Sequence, residues 1–324
     1  MGWAGLTPTV QGAALALAGA VAFSAMGALM RILSLEMPTA TILFFRSAFS
    51  LPVMLAWIVL ARHTGRLRTR HLVWHFARAM AGITSLACLI LAYRSLDFAL
   101  ATALAFTTPL WVIVLSVLFL GERPSWHRSA ATLLGFVGVL IIVRPVPLWE
   151  VGVWAALASG VFGAVALSFL RHLVRLESAE TTLLYFFLFS TLISAGPALH
   201  AGHMPDPRQM ALLLAAAGAG MAGLAFAAHA YAVADATVVA PFDFMRLPIA
   251  AAIGFVFFAQ TPDPWLLLGA GVMVAALYMI VVFGRWSSAL DPATGEGANR
   301  LAAAEAEAPP PSDVPPQPEK GQDP

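Results

Sequence analysis

Ten runs of apolar residues, each close to the length needed to cross a bilayer, take up nearly all of the chain before residue 285. They lie at roughly 10–30, 39–60, 72–92, 97–119, 128–144, 151–170, 181–199, 209–233, 238–259 and 264–284. A spanning helix needs about 20 predominantly apolar residues. Backbone polar groups inside hydrocarbon must find partners within the chain, which restricts spanning segments to helices and closed barrels. The runs do not alternate polar and apolar residues with period two, so the barrel is excluded. The expected fold is an all-α integral membrane protein with ten transmembrane helices. Composition supports this, because only 11% of residues are charged while 60% are hydrophobic. A soluble domain carries about 25% charged residues.

Details at the two ends complete this reading. The first run lacks a preceding basic segment and is longer than a signal-peptide core, so an uncleaved first helix is expected. Pro145 shortens the fifth run. Residues 285–324 turn to Ala, Glu, Pro and Asp without apolar periodicity, the composition of a disordered tail.

Several function classes drop out. A net charge of +1 leaves no electrostatic footprint for nucleic acid. The single cysteine, Cys88, sits in an apolar run and has no partner for a disulfide within the chain. His71 and His75 are four apart and His200 and His203 three apart, but neither pair has the additional ligands a metal site needs. No cofactor or metal is expected. There is no HExxH, GxSxG or P-loop motif, which excludes an ATP-driven pump built from this chain alone.

Orientation follows from basic residues in short loops. With a cytoplasmic N-terminus, the inner loops hold Arg62, Arg66, Arg68, Arg70, Arg123, Arg128, Arg171 and Arg175, eight in all. The outer loops hold four, Arg31, Arg94, Arg144 and Arg208. Both termini are therefore expected in the cytoplasm, with the protein in a bacterial inner membrane.

The two halves repeat. Phe45–Ser50 align with Tyr185–Ser190 at an offset of 140. At an offset of 139, Pro109 aligns with Pro248, Trp126 with Trp265, Ala130 with Gly269 and Ala131 with Ala270. The expected units are residues 1–146, residues 147–284 and the tail 285–324. An odd number of helices per unit makes the second enter the membrane from the opposite side, so the repeats are inverted. Inverted repeats are a recurrent architecture of alternating-access transporters, with the substrate site where the halves meet.

The segments TALAFTTPLWVIVLSVLFLGERPSW (102–126), VVAPFDFMRLPIA (238–250) and FFAQTPDPW (257–265), with FFR at 44–46, resemble the EamA family of the drug/metabolite transporter superfamily. The PFDFMRLP form is most similar to members that take up S-adenosylmethionine or riboflavin. The resemblance covers about residues 10–285. It implies ten helices, proton- or exchange-driven transport, and a central cavity lined by helices 1, 3, 4, 6, 8 and 9. One departure is Gln260-Thr261-Pro262, where many relatives carry a glutamate matching Glu122.

Charges within spanning segments are costly and serve as functional candidates. Arg46, Asp243 and Arg246 meet this description, whereas Arg78 sits close enough to a basic loop to snorkel. Asp243 and Arg246 are three apart and share a helix face. They form either a neutralised structural pair or a substrate and coupling site, with Asp243 as the coupling residue. The repeat places them opposite Leu104 and Thr107, and Arg46 opposite Phe186, so all three break the symmetry. Pro109 and Pro248 are expected to kink helices 4 and 9. The freed carbonyls near Thr107 and Thr108 would then be available to a polar ligand. Tyr93, Phe106, Trp111, His229, Tyr231 and Phe242 are the aromatic cavity candidates, each of which could equally serve packing.

The function these features support is secondary transport of a small organic metabolite. A membrane-embedded enzyme would cluster its titratable residues at one depth, and a channel would carry a polar stripe along several helices; neither pattern is visible. The expected partners are the metabolite and the lipid bilayer, with a homodimer as a further option.

Overall fold

The computed structural model describes residues 7–60, 67, 69–120, 126–143, 150–234, 239, 242–261 and 263–289. The expected tail from residue 290 onward, Glu122, Arg123 and Pro145 lie outside the described residues. Contacts group Met1–Val281 as one compact unit and Val282–Pro324 as another, and the packing below is that of the first. In chain order the helices are α1 (Pro8–Glu36), α2 (Thr39–Leu60), α3 (Leu72–Ser95), α4 (Phe98–Ala105), α5 (Thr108–Leu120), α6 (Trp126–Val143), α7 (Val151–Leu173), α8 (Ala179–Ala201), α9 (Pro207–Val233), α10 (Arg246–Phe258) and α11 (Pro264–Ala289). The described residues contain no strand.

Seven segments are long and apolar enough to span, with α4 and the start of α5 counted together as Phe98–Leu115. Shorter apolar helices at Ala130–Ile142, Arg246–Phe258 and Pro264–Ala276 supply the other three. The chain is an integral membrane protein of ten crossings.

The surface pattern gives the physical reason. In α2 the buried residues include Thr41, Arg46, Ser47 and Ser50, while Val53, Leu55 and Val59 are exposed. In α8 the buried set includes Thr181, Thr182, Ser190 and Ser194, while Leu188, Leu192 and Leu199 are exposed. A soluble helix does the reverse. Polar groups inside and leucines outside are stable only where the surroundings are hydrocarbon.

Helix pairing shows the repeat in three dimensions. The most extensive packing is α3 on α7 and α1 on α9, followed by α2 on α8. Exchanging the halves turns the third helix against the sixth into the eighth against the first, so the first two pairings are one interface repeated by pseudo-symmetry. The α2–α8 pairing maps onto itself. With five crossings per half, the axis lies in the membrane plane.

Small residues make these approaches close. A Cβ added at Gly19 of α1 would stand 3.4 Å from the Gly223 carbonyl of α9, and one at Gly12 would fall 2.2 Å from Ala234 Cβ. Backbones also meet across α6 and α11, where a Cβ at Gly269 would lie 2.6 Å from the Gly138 carbonyl. The helix ends are capped locally. Asp206 accepts from Gln209 N at 2.7 Å while Gln209 Oε1 accepts from Asp206 N at 3.2 Å, a capping box with Pro207 at the first turn. Gly202 ends α8 in the left-handed region, at φ 60.

Candidate functional site

The two prolines mark interruptions rather than bends. Helix α4 ends at Ala105, Phe106 and Thr107 form a turn, and α5 restarts at Thr108 with Pro109 as its second residue. In the other half, Phe244 and Met245 form the turn and α10 restarts at Arg246 with Pro248 in its first turn. Proline is tolerated in a first turn because its missing N–H would have no partner there. The carbonyls freed by the first break are not open to a ligand. Thr107 Oγ1 donates to Leu104 O at 2.7 Å and Thr108 Oγ1 to Ala105 O at 2.9 Å, so the threonines of the break satisfy it themselves. Helix α7 accommodates the break through glycine. A Cβ at Gly160 would lie 2.4 Å from Thr107 Oγ1, and one at Gly163 would lie 3.1 Å from Thr108 Oγ1.

Both breaks border a cavity of about 770 Å³ walled by α1, α3, α4, α5, α7, the end of α9 and Asp243, Phe244 and Arg246. Arg246 is its central feature. Its Nη2 donates to Asp243 Oδ1 at 3.0 Å. Its guanidinium lies 4.0 Å from the ring centre of Phe23 on α1 and 5.9 Å from that of Phe106 at the other break. One side chain thus ties the second helix break to the first. Asp243 is half-exposed in the cavity, and Tyr231 lies on the same wall. On the α3–α7 side, Ser85 Oγ donates to Ser159 O at 2.8 Å and both serines line the cavity.

The cavity is closed at one end. Tyr93 and Phe98 are buried with ring centres 5.3 Å apart, and Phe258 packs 5.8 Å from Phe98. Gln260 Oε1 accepts from Phe98 N at 3.1 Å, so Gln260 from the second half caps the start of α4. Arg31 Nη1 donates to Leu96 O at 2.8 Å and Arg94 Nη2 to Met37 O at 2.6 Å, tying α1 and the start of α2 to the same end. At the other end, Arg171 and Tyr231 are exposed on the cavity wall, and the cavity opens there.

Of the residues singled out from sequence, Tyr93, Phe106, Thr108, Tyr231, Asp243 and Arg246 line this cavity. Five others lie off its wall. Thr107 is fully buried in the break. Trp111 packs edge to face on Phe136 at 5.2 Å. His229 is exposed, with Nδ1 donating to Ala225 O at 2.8 Å. Phe242 packs on Ala16, Ala230 and Val239. Arg46 is buried behind Met26, its Nη1 4.0 Å from the thioether sulfur.

Arg78 does not snorkel. It is buried, donates to Thr182 O at 2.7 Å and covers the Phe186 ring at 4.6 Å. His75 is also buried, and its Nε2 donates to Glu177 Oε2 at 2.8 Å beside a hydrogen bond from Thr69. Burial raises the Glu177 carboxyl, but the hydrogen bonds from Thr69 and His75 outweigh it and hold the group below the ordinary range. This contact is therefore present at neutral pH and fades only as pH falls below the ordinary carboxylate range. The sequence reading missed Phe23, Ser24, Met26, Ser85 and Ser159, ordinary residues in apolar runs whose only signal is which helix face they share.

The EamA-like transporter model matches residues 10–144. The riboflavin transporter of Rhizobium johnstonii is 32% identical, over 84% of this chain and 91% of that protein. The chain belongs to the EamA-like transporter family. Within that family, the riboflavin transporter of Vibrio cholerae is 30% identical over 84% of this chain and 93% of its own length. The pseudopaline exporter CntI of Pseudomonas aeruginosa is 30% identical over 82% and 94%. A crystal structure sharing 19% identity covers 85% of this EamA-like chain and 97% of its own, with a TM-score of 0.60, which shows the same fold.

Proposed function

We propose that this EamA-like protein moves a small planar or ring-bearing metabolite by alternating access, with the Asp243–Arg246 pair as its binding and coupling centre. The observation that carries this reading is the position of Arg246. It lies on the N-terminus of a broken helix, between the faces of Phe23 and Phe106, in the cavity where both breaks meet. Half-helix N-termini at a repeat interface are the recurring substrate sites of such transporters. The aromatic walls supply stacking surface for a ring, and the ion pair supplies one donor and one acceptor for its polar groups. Tyr93, Phe106, Thr108 and Tyr231 complete the proposed contacts. Riboflavin, the cargo in the names of two of these relatives, and S-adenosylmethionine, the other compound the sequence resemblance implies, both carry ring systems that suit these walls.

Purified protein in liposomes is expected to show saturable uptake of one of these compounds, with counterflow when unlabelled compound is preloaded. Flux that rises linearly with concentration, without counterflow, would replace the transporter reading with a channel.

The excess of arginines in alternate loops supports an orientation with both termini in the cytoplasm of a bacterial inner membrane. In that orientation the closed Tyr93–Phe98 end faces outward. Cysteines placed at positions 67 and 175 are expected to resist an impermeant thiol reagent in intact cells and to react after lysis. Labelling in intact cells would invert the topology.

A further inference from the structure

We infer that a crevice between α4, α10 and α11 is a binding site for one acyl chain of a membrane lipid. The crevice measures about 580 Å³. Its walls are Ala99 and Ala103 of α4, the turn residues Phe244 and Met245, Pro248 and Ala251 of α10, and residues of α11 from Leu266 to Tyr278. Every lining side chain is apolar except for the Tyr278 hydroxyl. Water needs polar partners to occupy a cavity, and this wall offers almost none.

The repeat shows what is missing. At an offset of 139, Ala275 corresponds to Phe136 and Gly271 to Thr132. In the first half, Phe136 fills the space beside α5, its ring 5.2 Å from that of Trp111. The second half has only Ala275 at this place, and a Cβ added at Gly271 would meet nothing within 4 Å. The space left by the absent ring is the crevice. Leu267 and Tyr278 on its rim are exposed on a helix that crosses the bilayer, so hydrocarbon is the solvent at its mouth. An unfilled apolar void forfeits dispersion contacts along its whole lining, and a lipid chain restores them.

Phe244 lines both this crevice and the central cavity. It belongs to the second helix break and is the side chain that separates the two spaces. The bound chain therefore backs the wall of the cargo cavity at its break, where a helix would otherwise supply support.

The test fills the crevice from within. In Gly271→Leu with Ala275→Phe, the Cβ added at 271 points into open space, and the phenyl ring at 275, on the crevice wall, restores the group present in the first half. Gly218→Leu on α9 is the matched control, since a Cβ there also meets nothing within 4 Å. Full-length proteins are reconstituted in phosphatidylethanolamine–phosphatidylglycerol vesicles, extracted mildly and weighed intact by native mass spectrometry. Wild type and Gly218→Leu are expected to retain one more phospholipid than the filled variant. Equal lipid retention in all three overturns the site. A filled variant that loses a dimer rather than a lipid also overturns it, because the crevice would then be an interface between two copies. Liposome counterflow, measured in parallel, reads the transport function separately.

Discussion

Asp243→Asn is expected to cut pH-gradient-driven accumulation at least tenfold while counterflow at equal pH survives. Asn keeps the shape of the side chain and its ability to accept from Arg246 Nη2, now 3.0 Å from Oδ1. It cannot gain or release a proton, and proton coupling requires a group that does both within the cycle. Arg246 keeps its contact with the Phe23 ring at 4.0 Å, so the binding surface stays in place. Arg246→Gln acts differently. It removes the link between the two helix breaks and should abolish accumulation and counterflow together. Asp243→Asn combined with Arg246→Gln leaves neither charge unpaired. If the single variants misfold and the double variant recovers its thermal stability, the pair is structural. If accumulation and counterflow both persist in Asp243→Asn, Asp243 is not the coupling group.

Gly160→Leu is expected to destabilise the protein by about 2–3 kcal/mol and to abolish transport. The first atom added at this position would lie 2.4 Å from Thr107 Oγ1 and 3.3 Å from Trp111 Cδ1. Thr107 is fully buried and its hydroxyl closes the α4 carbonyl at Leu104, so it has nowhere to retreat. The break must shift, and Phe106 and Thr108 on the cavity wall shift with it. Gly160→Ala should show the same effect more weakly, and Thr107→Ala should partly rescue it by removing the clashing oxygen. Gly196→Leu, whose surroundings are open, is the control and should behave as wild type. Thermal unfolding in detergent reads the stability, and additive losses in the Gly160→Ala, Thr107→Ala pair would show that the two residues do not press on each other.

Much of the architecture is legible in one dimension. The ten apolar runs have the length a bilayer requires, and hydrocarbon leaves helices as the solution for such runs. Five crossings per half make the repeat inverted by parity alone. Asp243 and Arg246 stand out because a charge in a spanning segment is rare and a spacing of three places both on one face. The small-residue spacing of Ala156, Gly160 and Ala164 announces a close helix approach, and all three are buried in α7.

The tertiary structure decided the rest. Pro109 signals a disturbed helix, but the room for a break of two residues at Phe106 and Thr107 comes from α7, which presents Gly160 to Thr107. Whether freed carbonyls await a ligand depends on rotamers, and the Thr107 and Thr108 hydroxyls turn back to close them. Cavity membership is a property of helix rotation against neighbours distant in sequence. Phe23, Ser85 and Ser159 face inward for that reason, while His229 and Phe242 do not. Arg78 looks from sequence like a residue that reaches toward water, yet its acceptor is Thr182 O, 104 residues away, supplied by the packing of α8 on α3. The crossing count and the unusual charges follow from local composition set against a uniform solvent, the bilayer. The partners of those charges follow from long-range packing, which no single stretch of sequence contains.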